Sequence, residues 1–246
     1  EVETLMTAPT MFQAAQRIGR AVRQLHDIEG KALEDVSEKW GFETAGNGLW
    51  SSVASGDFNG DGRLDYVLGN QGLNTIYSAD RDSPMRLYAS DFAGTGAPQL
   101  VLTRDFDGRD FPVLGRAEIG AKIPQVLKRF PSNDVYAAST VEEILGASEI
   151  ANARLYTVNE LQSGVLMSQA SGEHSFVALP RLAQIAPAQG VAVSDFNGDG
   201  SQDLALVGND YSSIPALGRF DSGLGLILLG DGRGGFEPMP LLESGF

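Results

Sequence analysis

The side chains most able to do chemistry lie in two short loops. Asp57-Phe58-Asn59-Gly60-Asp61-Gly62-Arg63-Leu64-Asp65 returns later as Asp195-Phe196-Asn197-Gly198-Asp199-Gly200-Ser201-Gln202-Asp203. Both copies put oxygen-bearing side chains at positions 1, 3, 5 and 9 and glycine at position 6, the pattern by which a short loop wraps a hard cation such as calcium. Each loop supplies three carboxylates and one amide oxygen, and carboxylates held that close repel one another unless a cation lies between them. The competing reading, a glycine-rich polar hairpin with incidental acids, needs the same coincidence twice.

An EF-hand would need a bidentate Glu at position 12 and a helix on each side. Position 12 is Leu68 in one copy and Leu206 in the other. The apolar runs Tyr66-Val67-Leu68 and Leu204-Ala205-Leu206-Val207 are too short for helices and predict buried strands, each closed by Gly-Asn. Trp50 to Ser55 and Gly190 to Val193 predict strands on the other side, so each loop joins two neighbouring strands.

Other chemistry finds little support. The histidines, His26 and His174, have no serine or acidic partner at a catalytic spacing, and His174 in Gly172-Glu173-His174-Ser175 reads as a turn residue. There are no cysteines, which excludes disulfides, thiolate metal sites and a cysteine nucleophile. No nucleophile elbow, zinc motif or phosphate loop occurs, and the Gly-x-Gly in Gly230-Asp231-Gly232-Arg233-Gly234-Gly235-Phe236 lacks the βαβ frame of a nucleotide site. Asp80, Asp82, Asp105, Asp107 and Asp110 are left over; they read as solvated turn acids, with carboxylate-pair glycoside chemistry as the alternative. Trp50 reads as a packing residue within a sheet. Tyr211 and Phe220 flank a long inter-strand loop, 209–222, of a length that suggests a role or a covering function.

The elements that must position these loops are mostly strands. Further strands are predicted at Leu100 to Thr103, Arg154 to Thr157, Gly164 to Ser168, Ser175 to Leu179 and Gly223 to Leu229, and Asp107-Gly108 predicts a hairpin turn. Met11, Ala15, Ile18, Val22 and Leu25 mark an amphipathic helix in an N-terminal region, 1–32. A helical excursion near 115–147 carries Ile119, Ile123, Val126 and Leu127, a kink at Pro124, and a capping box from Thr140 to Glu143 stopped by Gly146. Asp91-Phe92-Ala93-Gly94-Thr95-Gly96-Ala97-Pro98-Gln99 is a worn copy of the metal loop that keeps the first Asp, the Phe and both glycines but loses the oxygen ligand at position 3 and the carboxylates at 5 and 9. Repeats therefore start at 57, 91 and 195, with an insertion before the last.

At 246 residues with 42% hydrophobic content the chain can bury a core, in one large domain or two small ones. A net charge of -14 argues against nucleic acid and against an anionic membrane surface as partners. No apolar run is long enough for membrane insertion.

The loops, the short strands and the Gly-Asp-Gly-x-Gly-Gly-Phe turn resemble the FG-GAP or VCBS repeats of integrin-α-like β-propellers. Gly69-Asn70-Gln71-Gly72-Leu73-Asn74, the helical excursion, and Leu217-Gly218-Arg219-Phe220-Asp221 running into Leu229-Gly230-Asp231-Gly232 are similar to the bacterial ASPIC/UnbV group related to cartilage acidic protein. The resemblance spans about 33–246. It implies an all-β fold with helical additions: a partial propeller of about three to four blades, part of a longer protein, with calcium held at Asp57, Asn59, Asp61, the Arg63 carbonyl and Asp65, and at Asp195, Asn197, Asp199, the Ser201 carbonyl and Asp203. Two calcium ions are expected, because the worn loop at Asp91 departs from the pattern at three ligand positions. The implied function is a non-catalytic, calcium-stabilised module binding a protein or a polysaccharide, secreted, periplasmic or at a cell surface, with a homo-oligomer covering open blade edges. A carbohydrate-active enzyme on the same scaffold, a lyase or hydrolase, is the alternative.

Overall fold

The computed structural model describes residues 37–211 and 218–245. The helix predicted within 1–32, His26, and residues 212–217 of the 209–222 loop lie outside the described residues. The described chain is mostly β, with twelve strands in three antiparallel sheets. The strands are β1 (Ser52–Gly56), β2 (Asp65–Gly69), β3 (Met85–Ser90), β4 (Gln99–Phe106), β5 (Arg109–Pro112) and β6 (Arg154–Val158). They continue as β7 (Gly164–Ser168), β8 (His174–Ala178), β9 (Gly190–Ser194), β10 (Asp203–Val207), β11 (Leu226–Gly230) and β12 (Phe236–Pro238). Among the described residues no helix is long and apolar enough to cross a membrane.

The chain divides into two compact units. The first comprises residues up to Ile76 and from Glu160 onward; the second is Tyr77–Asn159. In the first unit one sheet has the order β1-β2-β7-β8 and the other β9-β10-β11-β12. Each is a four-stranded meander, except that in the first sheet the whole second unit interrupts the chain between β2 and β7. Tyr66 to Leu68 pair with Gly164 to Leu166 across that gap. The insertion is therefore wider than the helical excursion at 115–147: it also contains four strands and the worn loop, which the sequence placed in line with the other two repeats.

The two sheets of the first unit bury a shared core of Val67, Val165, Leu204, Leu206, Leu228 and Phe58, to which the half-buried Ala54, Val191 and Val193 add the facing sides of β1 and β9. Strand residues alternate between faces, so the short runs seen in sequence put Val67 and Leu204 inward. Trp50 is buried with Leu68 and Leu166 and meets Phe176 edge to face at 5.8 Å. His174 is not a turn residue. It opens β8, is buried at 9% exposure, donates its backbone N–H to the Trp40 carbonyl (2.7 Å), and packs against Phe42 (5.0 Å) and Tyr66 (5.6 Å). Nothing local marks this, because its partners come from strands and turns more than a hundred residues away in sequence.

In the second unit the order is β5-β4-β3-β6. The hairpin between β4 and β5 turns at Asp107 (φ 56°) and Gly108 (φ 73°), as the Asp-Gly pair predicts. Five short helices follow: α1 (Arg116–Lys122), α2 (Pro124–Arg129), α3 (Asn133–Ala137), α4 (Val141–Leu145) and α5 (Ala147–Asn152). Pro124 does more than kink a helix: it starts α2 after a break at Ile123, because a proline inside the helix would lose a hydrogen bond and clash one turn back. Thr140 and Glu143 make both bonds of the capping box, and Gly146 (φ 105°) ends α4. Ile119, Val126, Val141 and Ile144 pack on Tyr88 and Val101 of the sheet. A last short helix, α6, spans Leu241–Ser244.

Candidate metal centres

Each loop is the hairpin connection between the first two strands of a sheet: 57–64 joins β1 to β2 and 195–202 joins β9 to β10. The backbone is preshaped by glycine at positions 4 and 6, with φ of 73° and 82° at Gly60 and Gly62 and 78° and 88° at Gly198 and Gly200. Only glycine adopts such angles freely.

In both loops the oxygens of positions 1 and 3 converge on one amide. The Asp61 N–H is 3.1 Å from both Asp57 Oδ1 and Asn59 Oδ1; the Asp199 N–H is 3.2 Å from Asp195 Oδ1 and 3.0 Å from Asn197 Oδ1. The second oxygen of position 1 accepts from position 6, Gly62 or Gly200, each at 2.9 Å. Position 5 accepts from position 7: Arg63 N–H to Asp61 Oδ1 (2.9 Å) and Ser201 N–H to Asp199 Oδ1 (2.7 Å). Amides of Ser201 and the Asn197 side chain hold the Asp199 carboxyl below its usual range. At Asp61 desolvation pushes upward, but the Arg63 amide, Asn59 and the Arg63 charge outweigh it and the net direction is down. The loops differ at the far oxygen of position 5. The Arg63 guanidinium caps it in the first loop, whereas Asn197 Nδ2 donates to it at 2.8 Å in the second.

Position 9 has a different environment. Asp65 and Asp203 are both 0% exposed. Asp65 accepts from Phe58 N–H (3.0 Å) and from Ser168 N–H at the end of β7 (2.7 Å); Asp203 accepts from Phe196 N–H and from Gly230 N–H at the end of β11, both at 2.8 Å. This carboxylate thus ties the loop to the third strand of its own sheet, and the correspondence makes β7 the counterpart of β11. Ser168 and Gly230 carry no signal in the sequence, because their role depends on strand order.

Among the described residues no group of three or more His, Cys, Asp or Glu side chains is gathered so as to hold a metal ion. The set each loop brings together is smaller: the Asp, Asn and Asp of positions 1, 3 and 5. By type it fits a hard cation, since every donor is oxygen and a carboxylate oxygen bonded once keeps a second lone pair. Position 9 is buried, and each of its carboxylate oxygens accepts from one backbone amide, which leaves each a second lone pair.

The worn loop keeps the same turn. Gly94 (φ 68°) and Gly96 (φ 82°) match their counterparts, and Asp91 accepts from Gly96 N–H (2.7 Å) and Thr95 N–H (2.8 Å), which hold its carboxyl below the usual range. Gln99 stands at position 9 and accepts from Ala93 N–H at 2.8 Å. This loop joins β3 to β4, but its sheet adds β6 on the far side of β3.

Loop 57–65 is also locked to the second sheet. Phe58, 1% exposed, meets Phe236 edge to face at 5.5 Å, and Gly234 N–H donates to the Phe58 carbonyl at 3.0 Å. The 230–236 turn is therefore a clasp between sheets. The equivalent Phe196 is 44% exposed. The Gly-Asn that closes each second strand is structural as well: Asn70 is fully buried, accepts from Leu49 and Gln71 N–H and donates to the Glu160 and Gln162 carbonyls, while Asn209 pairs both ways with Gly223.

The leftover acids divide. Asp107 sits at the hairpin turn, and Asp80 caps a turn by accepting from Asp82 and Ser83 N–H. Asp105 and Asp110 are not solvated: they face each other across β4 and β5, and the Arg86 guanidinium bridges both while Tyr88 OH donates to Asp110. Burial and Asp110 push the Tyr88 hydroxyl well above its usual range; burial alone would lower Arg86, and the two carboxylates hold it up. Two like charges opposed on a sheet are destabilising without such a bridge. Tyr211 is exposed, and Phe220 is buried and bridged to Asp210.

Residues 49–80 match the FG-GAP repeat. That stretch contains β1, the loop 57–64, β2 and Asn70. No curated protein and no solved structure matches the chain. Loop 195–203 repeats the hydrogen bonds from the amides of positions 2, 5, 6 and 7 found in the loop of the matched stretch, so the likeness between the two rests on geometry as well as on residue type.

Proposed function

We propose that the chain is a calcium-stabilised, non-catalytic interaction module that works outside the cytoplasm and binds a protein or a polysaccharide. The observation that carries the calcium reading is the recurrence, at the same place in two sheets, of one loop with closely similar glycine angles and the same amide hydrogen bonds to the oxygens of positions 1, 3 and 5. Asp57, Asn59 and Asp61, and Asp195, Asn197 and Asp199, would hold the ions, with the Arg63 and Ser201 carbonyls and the buried Asp65 and Asp203 completing the sets that the resemblance implies. Bound calcium would supply positive charge that offsets the loop carboxylates and cross-links each hairpin. A site filled at a hundred times its Kd adds about 2.7 kcal/mol to stability.

The two sheets of the first unit read as neighbouring propeller blades, joined by the clasp of Phe58 on Phe236. The third sheet, with its worn loop and added helices, reads as a remodelled blade. Supporting the non-catalytic reading, the carboxylate pair most suited to glycoside chemistry, Asp105 and Asp110, is tied up by Arg86 and Tyr88. Thermal melting with and without a chelator tests the reading: the midpoint should fall on chelation and return with calcium, and an unchanged midpoint would refute it. Incubation with polysaccharides should release no new chain ends.

A further inference from the structure

The second unit presents a surface unlike the rest of the chain. It carries nine Lys and Arg against eleven Asp and Glu, so it holds half of the chain's 18 basic residues and only -2 of its net charge of -14. Several of those cations line one open groove of about 780 Å³ along the edge strand β5.

Side chains alternate across a strand, so with Asp105 and Asp110 on one face of the β4–β5 hairpin, Arg104, Phe106, Arg109 and Phe111 share the other. The register sets Arg104 opposite Phe111 and Phe106 opposite Arg109, which makes a two-by-two pattern of guanidinium and ring. Phe106 is 69% exposed, the rings are 6.4 Å apart, and the Arg109 guanidinium lies 5.3 Å from the Phe111 centroid. No carboxylate pairs with Arg104 or Arg109 among the described residues. Arg116 adds a third guanidinium, held in place by the Phe130 and Leu127 carbonyls, and Glu118 is the groove's one acid. The pattern therefore offers solvent an exposed phenyl ring beside guanidiniums that have no carboxylate partner among the described residues.

We infer that this groove binds an anionic polysaccharide whose sugar rings carry carboxylates, a polyuronate. Guanidinium groups take carboxylates in bidentate fashion, and flat aromatic faces take the apolar face of a pyranose ring. A chain that alternates rings with carboxylates matches a surface that alternates Phe with Arg. An acidic peptide would satisfy the arginines but leave Phe106 without a partner. The inference deepens the interaction-module reading by naming a ligand class, and it is independent of calcium.

The test is titration of the full chain with an oligogalacturonate in the presence of a chelator, so that the ligand's own calcium binding plays no part. Binding should appear, weaken as salt is raised, and vanish for the fully methyl-esterified oligomer. Phe106→Ala and the pair Arg104→Ala/Arg109→Ala should each weaken it by about tenfold or more, with melting midpoints unchanged because these side chains are exposed. Absence of binding overturns the inference. So does poly-glutamate binding as tightly with no effect of Phe106→Ala, which would assign an acidic peptide, or tighter binding of single-stranded DNA. Loss of the chelator effect on melting would sink the calcium reading and leave this one standing.

Discussion

Phe58 and Phe196 occupy the same position of the same nine-residue motif, and their energetics should differ severalfold. Phe58 is 1% exposed, packs in the shared core of the first unit and meets Phe236 at 5.5 Å; Phe196 is 44% exposed. Truncating a fully buried phenylalanine costs about 3–5 kcal/mol, because the lost transfer energy is joined by a cavity the neighbours cannot close. The clasp makes collapse harder still, since Gly234 is hydrogen-bonded to the Phe58 carbonyl. At roughly 2–4 °C per kcal/mol for a unit of this size, Phe58→Ala should lower the melting midpoint by about 6–20 °C. Phe196→Ala removes a ring already half in water and should cost about 1 kcal/mol or less. Differential scanning calorimetry on both variants, in excess calcium so that the loops stay loaded, separates the two. Equal losses would refute the reasoning, since they would mean that motif position, and not the clasp against the 230–236 turn, sets the contribution.

Three further outcomes are expected. Asn70→Ala leaves the Leu49 and Gln71 amides and two carbonyls without their buried partner, and at about 1–3 kcal/mol for each unsatisfied group the variant should melt well below the parent, whereas the more exposed Asn209→Ala should lose less in chemical denaturation. Arg86→Met removes the bridge between Asp105 and Asp110 and should destabilise the second unit by about 3–5 kcal/mol, with partial rescue by adding Asp110→Asn. Asp91 is held below the usual carboxylate range by the Gly96 and Thr95 amides, so its contribution is fully present above the unfolded pKa and is lost as pH falls through the folded one. Stability of the parent should therefore drop below about pH 4, and the drop should be shallower in Asp91→Asn when followed by acid titration of the second unit's melting.

What could be read from the sequence was what is local. Asp107-Gly108 specifies its turn through two backbone angles, Thr140 and Glu143 specify a helix start through two reciprocal bonds, and the metal loops advertise their shape through glycines at fixed spacing. The strands at 164–168 and 203–207 follow from short apolar runs bounded by turn residues. What could not be read was pairing across distance. That β2 finds β7 beyond an 83-residue unit, that β6 pairs with β3, and that Asp105 and Asp110 share Arg86 depend on strand order, which leaves no mark in any window of the chain. His174 shows the same limit: a residue framed by turn formers is buried because Trp40, Phe42 and Tyr66 close over it. The metal loops lie between these cases. Their donors at positions 1, 3 and 5 are legible from spacing, while the attachment of Asp65 and Asp203 to the third strand of each sheet is visible only in three dimensions.

The central claim is that the two intact loops bind calcium and the worn one does not. Its most direct test is equilibrium calcium binding by calorimetry on the metal-stripped chain, with Asp57→Ala, Asp195→Ala and Asp91→Ala as single variants. The account predicts two sites in the parent, one in each of the first two variants, and two in Asp91→Ala. A parent that binds no calcium, or one whose stoichiometry is unchanged by Asp57→Ala and Asp195→Ala, would contradict it.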